Sequence, residues 1–143
     1  LVIKEKNKPS IIEFGESSEI AQGYNQNLFL GNSTYKIKSK KISMVPLKTW
    51  YLSNKETPCD LSEITADEAG QLYLLSQKCR LISMVSTLKT NEENVFYKKE
   101  WQLPNHIRNA EALAVLEKEN KFIVGIDEKK RHKDNIFFLE KNP

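Results

Sequence analysis

The chain has 143 residues, 39% hydrophobic and 29% charged, enough for one domain with a real core if it folds alone. That balance excludes a disordered segment, and no apolar run approaches the roughly 18 residues of a spanning helix, so no membrane span is expected. The 22 basic and 19 acidic residues leave a net charge of +3, too small a surplus to call for nucleic acid or an anionic membrane as partner.

Apolar residues alternate over short stretches rich in Ile, Val, Tyr and Phe, and turn residues interrupt them, which is the pattern of strands. In chain order the predicted strands are Leu1 to Glu5, Ser10 to Phe14, Leu28 to Gly31, Tyr35 to Met44 and Thr49 to Leu52. They continue as Ser62 to Ala66, Gln71 to Ser76, Arg80 to Val85 and Val95 to Trp101, then Ala112 to Leu116, Lys121 to Ile126 and Asn135 to Glu140. The basic clusters KIKSKK (36–41) and EKKRHKD (128–134) lack the interleaved aromatics of a base-stacking platform and read as solvated turns. Asn32-Ser33-Thr34 fits the glycosylation pattern, which has meaning only in a secreted eukaryotic protein. A chain beginning at Leu1 without Met or signal peptide is expected to be a piece of something longer.

The stretch NAEALAVLEKEN (109–120) is helical by propensity, since Ala, Leu, Glu and Lys are all good helix formers. Repetition overrides that reading. A shift of 44 brings Ser18-Glu19-Ile20 onto Ser62-Glu63-Ile64 and NLFL (27–30) onto QLYL (71–74), and a shift of 48 brings Glu63 onto Glu111. In each place an acidic start leads to an apolar run, a polar turn and a second apolar run. Units of roughly 40 to 50 residues holding several short strands are the signature of β-propeller blades, each a small sheet that cannot hide both faces alone.

The fold class expected is therefore all-β: two and a half to three antiparallel four-stranded blades over units 1–57, 58–104 and 105–143. The ring stays incomplete unless further residues or other chains complete it. In the best-formed unit Gly70 supplies the positive φ that the turn Asp67 to Gly70 needs, and VFYKKEWQL forms the fourth strand. The N-terminal third admits two alignments. It starts a unit at Ser18, or LVIKEKNKPSIIEFG is the middle hairpin of a preceding blade and residues 16–44 are partly an insertion.

The stretches DLSEITADEAGQLYLLSQKCRLI (60–82) and NAEALAVLEKENKFIVGIDEK (109–129) resemble the C-terminal part of the bacterial SdiA-regulated β-propeller family, and more distantly the esterase-like phytase propellers. KEKNKP (4–9) followed by SIIEF resembles that family's preceding hairpin, and the likeness covers about two thirds of the chain. The sequence departs from the family at blade starts, where Ala112 and Glu63 stand in place of glycine. The resemblance implies a ligand- or protein-binding propeller in an extracytoplasmic setting, periplasmic or secreted. Through the phytase-like branch it implies a calcium-dependent phosphoester or ester hydrolase as the alternative. A self-contained all-β interaction domain is the third reading.

Two sets of residues are candidates for chemistry. Glu19, Glu63 and Glu111 fall at the same place in successive units, near the channel of a propeller, and with Asp60 they form the oxygen-rich set that a hard cation such as Ca²⁺ prefers. Solvated carboxylates paired with Lys or Arg are the plainer reading. Lys78 and Arg80, with Asp127, Glu128 and Lys129, fall in equivalent hairpin turns on one face, where rigid blades aim ligand-binding loops. Charged exposed turns are again the plainer reading.

No catalytic set emerges: His106 and His132 are the only imidazoles, and no GxSxG, P-loop or GxGxxG occurs. Trp50 and Trp101, 51 residues apart in equivalent fourth strands, read as packing between blades in preference to a carbohydrate platform. Cys59 and Cys79 lack metal-ligand spacing and read as ordinary thiols, with a disulfide open if Cys59 precedes one strand and Cys79 lies in the next hairpin turn.

Overall fold

A computed structural model of the chain describes residues 1–4, 9–16, 33–37, 40–53, 59–127 and 135–142. Among these residues there are eleven strands and no helix: β1 (Val2–Lys4), β2 (Ser10–Glu16), β3 (Ser33–Ile37), β4 (Lys40–Ser53), β5 (Glu63–Ala66), β6 (Leu72–Ser76), β7 (Leu81–Val85), β8 (Asn94–Gln102), β9 (Ala110–Leu116), β10 (Lys121–Ile126) and β11 (Ile136–Glu140). The all-β expectation holds. The helix-prone stretch is strand β9, because its Ala110 and Leu113 are buried against the neighbouring sheet while Glu111, Ala112 and Ala114 face out. A bulge at Glu111, with Gly125 opposite Ala112 and Ile126 opposite Ala110, lets both Ala110 and Leu113 turn inward, and their burial outweighs the few tenths of a kcal/mol per residue that separate helix propensities.

Two predicted strands differ. Tyr35 to Met44 is divided between β3 and β4, whose register runs from Ser33 opposite Met44 to Ile37 opposite Lys40. The predicted Thr49 to Leu52 is then the far end of β4, which continues through Pro46 as a 14-residue strand. Proline offers no amide proton to a ladder, and the β2–β4 register shifts at that place: Glu13 lies opposite Lys48 and Phe14 opposite Pro46, so Leu47 is the extra residue of a bulge. The predicted strand Leu28 to Gly31 lies outside the described residues.

Strands β5, β6, β7 and β8 form a four-stranded antiparallel meander, and β9, β10 and β11 a three-stranded one. The first strands β5 and β9 lie beside each other, linked where the Ser62 hydroxyl reaches the Ala110 carbonyl at 3.1 Å and the Leu75 carbonyl at 3.2 Å. The N-terminal strands do not make a separate sheet. Tyr51 to Ser53 of β4 pair parallel with Asn94 to Phe96 of β8, giving the continuous order β1-β2-β4-β8-β7-β6-β5, with β3 on β4. This sheet curls until its end strands β1 and β5 touch.

Two cores follow from the alternation in β6. Leu74 points into one core with Ile11, Trp50, Leu61, Val85 and Val95, inside the curl. Tyr73 and Leu75 point the other way, into a core with Ile82, Leu103, Ile107, Phe122 and Val124 that glues the three-stranded sheet on. Register in β8 adapts to both. A bulge leaves Lys98 unpaired between Tyr97, opposite Val85, and Lys99, opposite Met84, so Tyr97 packs in the first core and Trp101 against the second.

Cys59 and Cys79 are joined in a disulfide with Cα atoms 5.7 Å apart, so the free-thiol reading is corrected. The turn after β6 carries Cys79 back beside the segment that enters β5, which a separation of 20 residues alone does not reveal. Replacing both cysteines by serine removes a cross-link that restricts the unfolded chain. It should lower unfolding stability by about 3 kcal/mol, read as a lower urea midpoint with the far-ultraviolet β signature retained.

Candidate functional site

The hairpin turns at one end of the two meanders gather around Asn109. The β6–β7 turn closes with the Arg80 amide on the Gln77 carbonyl at 3.2 Å. The Asp60 carboxylate supports it by accepting from the Ser76 hydroxyl at 2.7 Å and the Lys78 amide at 3.0 Å, while the Cys79 amide donates to the Ser76 hydroxyl at 3.1 Å. From this turn Gln77 donates to the Asn109 side-chain oxygen at 3.3 Å, and the Asp127 amide donates to the Asn109 carbonyl at 3.0 Å. Lys78, Arg80 and Asp127 therefore share one end of the structure; Glu128 and Lys129 lie outside the described residues. Lys78 and Asp127 are exposed.

Arg80 is already engaged. Its guanidinium donates to the Leu103 carbonyl at 3.0 Å and the Asn105 side chain at 3.1 Å, and its own carbonyl accepts from the Leu103 amide at 2.9 Å. These bonds hold a bulky residue at φ +56°, a conformation that costs non-glycine residues energy. Gly70, at φ +80°, and Asn120, at φ +52°, fill the matching last positions of the β5–β6 and β9–β10 turns with residue types that accept it.

The acidic set is dispersed in its bonding. Asp60 caps the β6–β7 turn, Glu63 accepts from the amide of Ile64 at 2.9 Å and Glu111 is exposed, while Glu19 lies outside the described residues. Among the described residues no group of three or more His, Cys, Asp or Glu side chains converges to hold a metal ion.

The opposite end of the meanders holds a network that sequence reading missed. Lys141, its side chain only 8% exposed, donates to Glu117 at 2.7 Å and to the Tyr73 hydroxyl at 3.0 Å, and the Tyr73 hydroxyl donates to Asp67 at 3.2 Å. The ammonium also lies 5.0 Å from the Tyr73 ring centre and 5.6 Å from that of Phe122. Burial raises the Tyr73 pKa, with the Lys141 bond pulling partly against it. Burial alone would lower the Lys141 pKa; the bonds to Glu117 and Tyr73 outweigh it, and the net shift is upward. A single lysine immediately after the last strand carries no local signal of such a role.

Beside this network a cleft of about 410 Å³ opens between β8 and the end of β11, with Trp101, Phe122 and Leu139 along its walls and Glu100 and Glu140 among its polar lining. Trp101 stacks edge to face with Phe122 at 5.0 Å and donates its indole proton to the Asn142 carbonyl at 2.9 Å. Trp50 is sealed in the core inside the curl of the larger sheet, and Trp101, half-buried at the cleft, packs between the two sheets.

No family model, curated protein or solved structure matches the chain.

Replacing Lys141 with methionine keeps the aliphatic stem but deletes two charge-assisted bonds; stability should fall by about 2 kcal/mol in urea titration. Burial, with the Glu100 charge adding to it, pushes Tyr97 up to about 12 from an ordinary 10.0, so the folded state keeps a proton that the unfolded state releases first. The stabilisation is whole below pH 10.0 and is lost as pH rises towards about 12. Melting temperatures between those values should drop less steeply in Tyr97→Phe than in the parent chain.

Proposed function

We propose that the chain is a binding module: a segment of β-propeller architecture whose turn end, carrying Lys78 and Asp127 around Asn109, takes a small-molecule or protein ligand. The observation that carries this reading is the repeated meander. The first hairpin of each meander closes on a four-residue turn whose last residue has a positive φ: the Gly70 amide donates to the Asp67 carbonyl at 3.0 Å in β5–β6, and the Asn120 amide to the Glu117 carbonyl at 3.1 Å in β9–β10. The two meanders pack face to face with their first strands adjacent, as neighbouring blades do. The likeness to the SdiA-regulated propellers in residues 60–82 and 109–129 supports the same assignment. The parallel β4–β8 pairing departs from free-standing blades and joins the first two units at their outer strands.

Further blades, from the remainder of the same protein or from other copies of the chain, would cover the outward face of β9, β10 and β11, where Ile136 and Phe138 are 60% and 64% exposed. The disulfide supports an oxidising, extracytoplasmic setting.

A fragment screen followed by amide chemical shifts tests the module reading. Hits should displace resonances at residues 77–80, 103–109 and Asp127; hits confined to residues 67–70 and 117–120 overturn it. Calcium separates it from the hydrolase alternative. Millimolar Ca²⁺ should leave the melting temperature unchanged, whereas a rise abolished by Glu63→Gln or Glu111→Gln would favour a cation-dependent enzyme.

A further inference from the structure

We infer that the outer edge of β11, with the cleft beside it, accepts a fourth strand: an extended segment of a partner polypeptide with apolar side chains at alternate positions and a basic residue. The inference rests on the repeated-meander reading. Hydrogen-bond parity defines the edge. The Ile126 amide donates to the Asn135 carbonyl at 2.9 Å and the Lys141 amide to the Asn120 carbonyl at 2.8 Å, so odd-numbered residues of β11 turn their backbone groups to β10. Ile136, Phe138 and Glu140 therefore direct their amides and carbonyls away from β10. Among the described residues no strand pairs with that side.

The sister sheet shows what fits there. The matching edge of β7 is filled by β8, antiparallel, with Val95 and Tyr97 turned into one core. Beside β11 the core between the sheets runs on into the cleft, since Ile82, Leu103 and Phe122 belong to both. An added strand would send alternate side chains inward onto Leu139 and Trp101 and continue an interface that already exists. Glu100 and Glu140 in the cleft lining favour a basic side chain on the incoming segment.

The edge is also unguarded. Free edges of soluble proteins usually carry lysine, proline or a bulge against unwanted pairing, whereas IFFLE has four apolar residues and its single charge last. Backbone bonds along such an edge give affinity and alternate pockets give specificity, the mode of strand addition.

The test uses the full chain and a fluorescein-labelled synthetic peptide NVFYKKEWQ, the sequence of β8, in an anisotropy titration. Saturable binding is expected. Phe138→Pro removes an outward amide proton without breaking the β10–β11 ladder and should weaken binding about tenfold, while Phe138→Tyr should stay within about twofold. If the proline variant melts early, Phe138→Lys, which guards the edge with a charge, should give the same loss.

Absence of peptide binding, or equal binding by Phe138→Pro and Phe138→Lys, overturns the inference. So does a concentration-dependent mass in sedimentation equilibrium that Phe138→Lys abolishes and the peptide does not compete away, because the occupant is then a second copy of the chain. Each of these failures leaves the fragment-shift pattern at residues 77–80 unaffected, so it is distinguishable from failure of the binding-module reading.

Discussion

Burial of β6 on both of its faces is the constraint on which the structure depends. Tyr73, Leu74 and Leu75 are each at most 2% exposed, yet they point into different cores. A strand in a half-solvated sheet needs apolar residues on one side only; LYLLS has them on both and cannot be satisfied by a single partner sheet. Burying each such side chain contributes roughly 1.5–3 kcal/mol, and that gain holds the N-terminal strands against one face and β9, β10 and β11 against the other. The Ser76 hydroxyl at the strand's end is sealed too, and it is satisfied by Asp60 and Cys79.

The two tryptophans show what happens where this arrangement stops. Trp50 lies opposite Ile11 in β4, and Trp101 lies opposite Ile82 in β8. Trp50 lies inside the curl of the larger sheet; it is 3% exposed and its indole proton goes to the Lys89 carbonyl at 2.8 Å. Trp101 faces a sheet of three strands and stays half-buried, its indole proton reaching an asparagine carbonyl beyond β11. The cleft is the volume that separates these two environments. It lies where the three-stranded sheet ends at β11, beside the indole of Trp101.

Local chemistry made much of the architecture legible. Alternation marked β5, β6, β7, β8 and β10 to within a residue or two, and the glycine after Asp67-Glu68-Ala69 marked a turn with positive φ. Recurrence of an acidic start followed by two apolar runs placed β9 as a strand against its own helix propensity. What stayed hidden depends on contacts between distant segments. The parallel pairing of β4 with β8 joins residues more than forty positions apart, and nothing in either strand's periodicity names its neighbour. The gap expected between Met44 and Thr49 is absent, because a bulge on β4 absorbs Pro46. The disulfide, the engagement of Arg80 and the burial of Lys141 likewise arise only when the chain returns on itself.

The turn end is rigid for reasons that bear on binding. Cys59 and Cys79 tie the entry of β5 to the β6–β7 turn, Asp60 fixes the turn's amides, and Arg80 bolts it to Leu103 and Asn105. Arg80 stays at a positive φ because those bonds over-determine it; such outliers concentrate where a surface must be held in a set shape. Between these fixed points Lys78 extends into solvent, and Asp127 stands on the neighbouring loop through the shared Asn109. A ligand meeting this surface would order few groups that are not already ordered. Affinity would then come from contacts instead of being offset by lost freedom. The Lys141 end is equally well bonded, but its charges face one another and leave little polar capacity for a partner. That asymmetry is the physical reason to look for ligand at the Lys78 end and for a strand at the β11 edge.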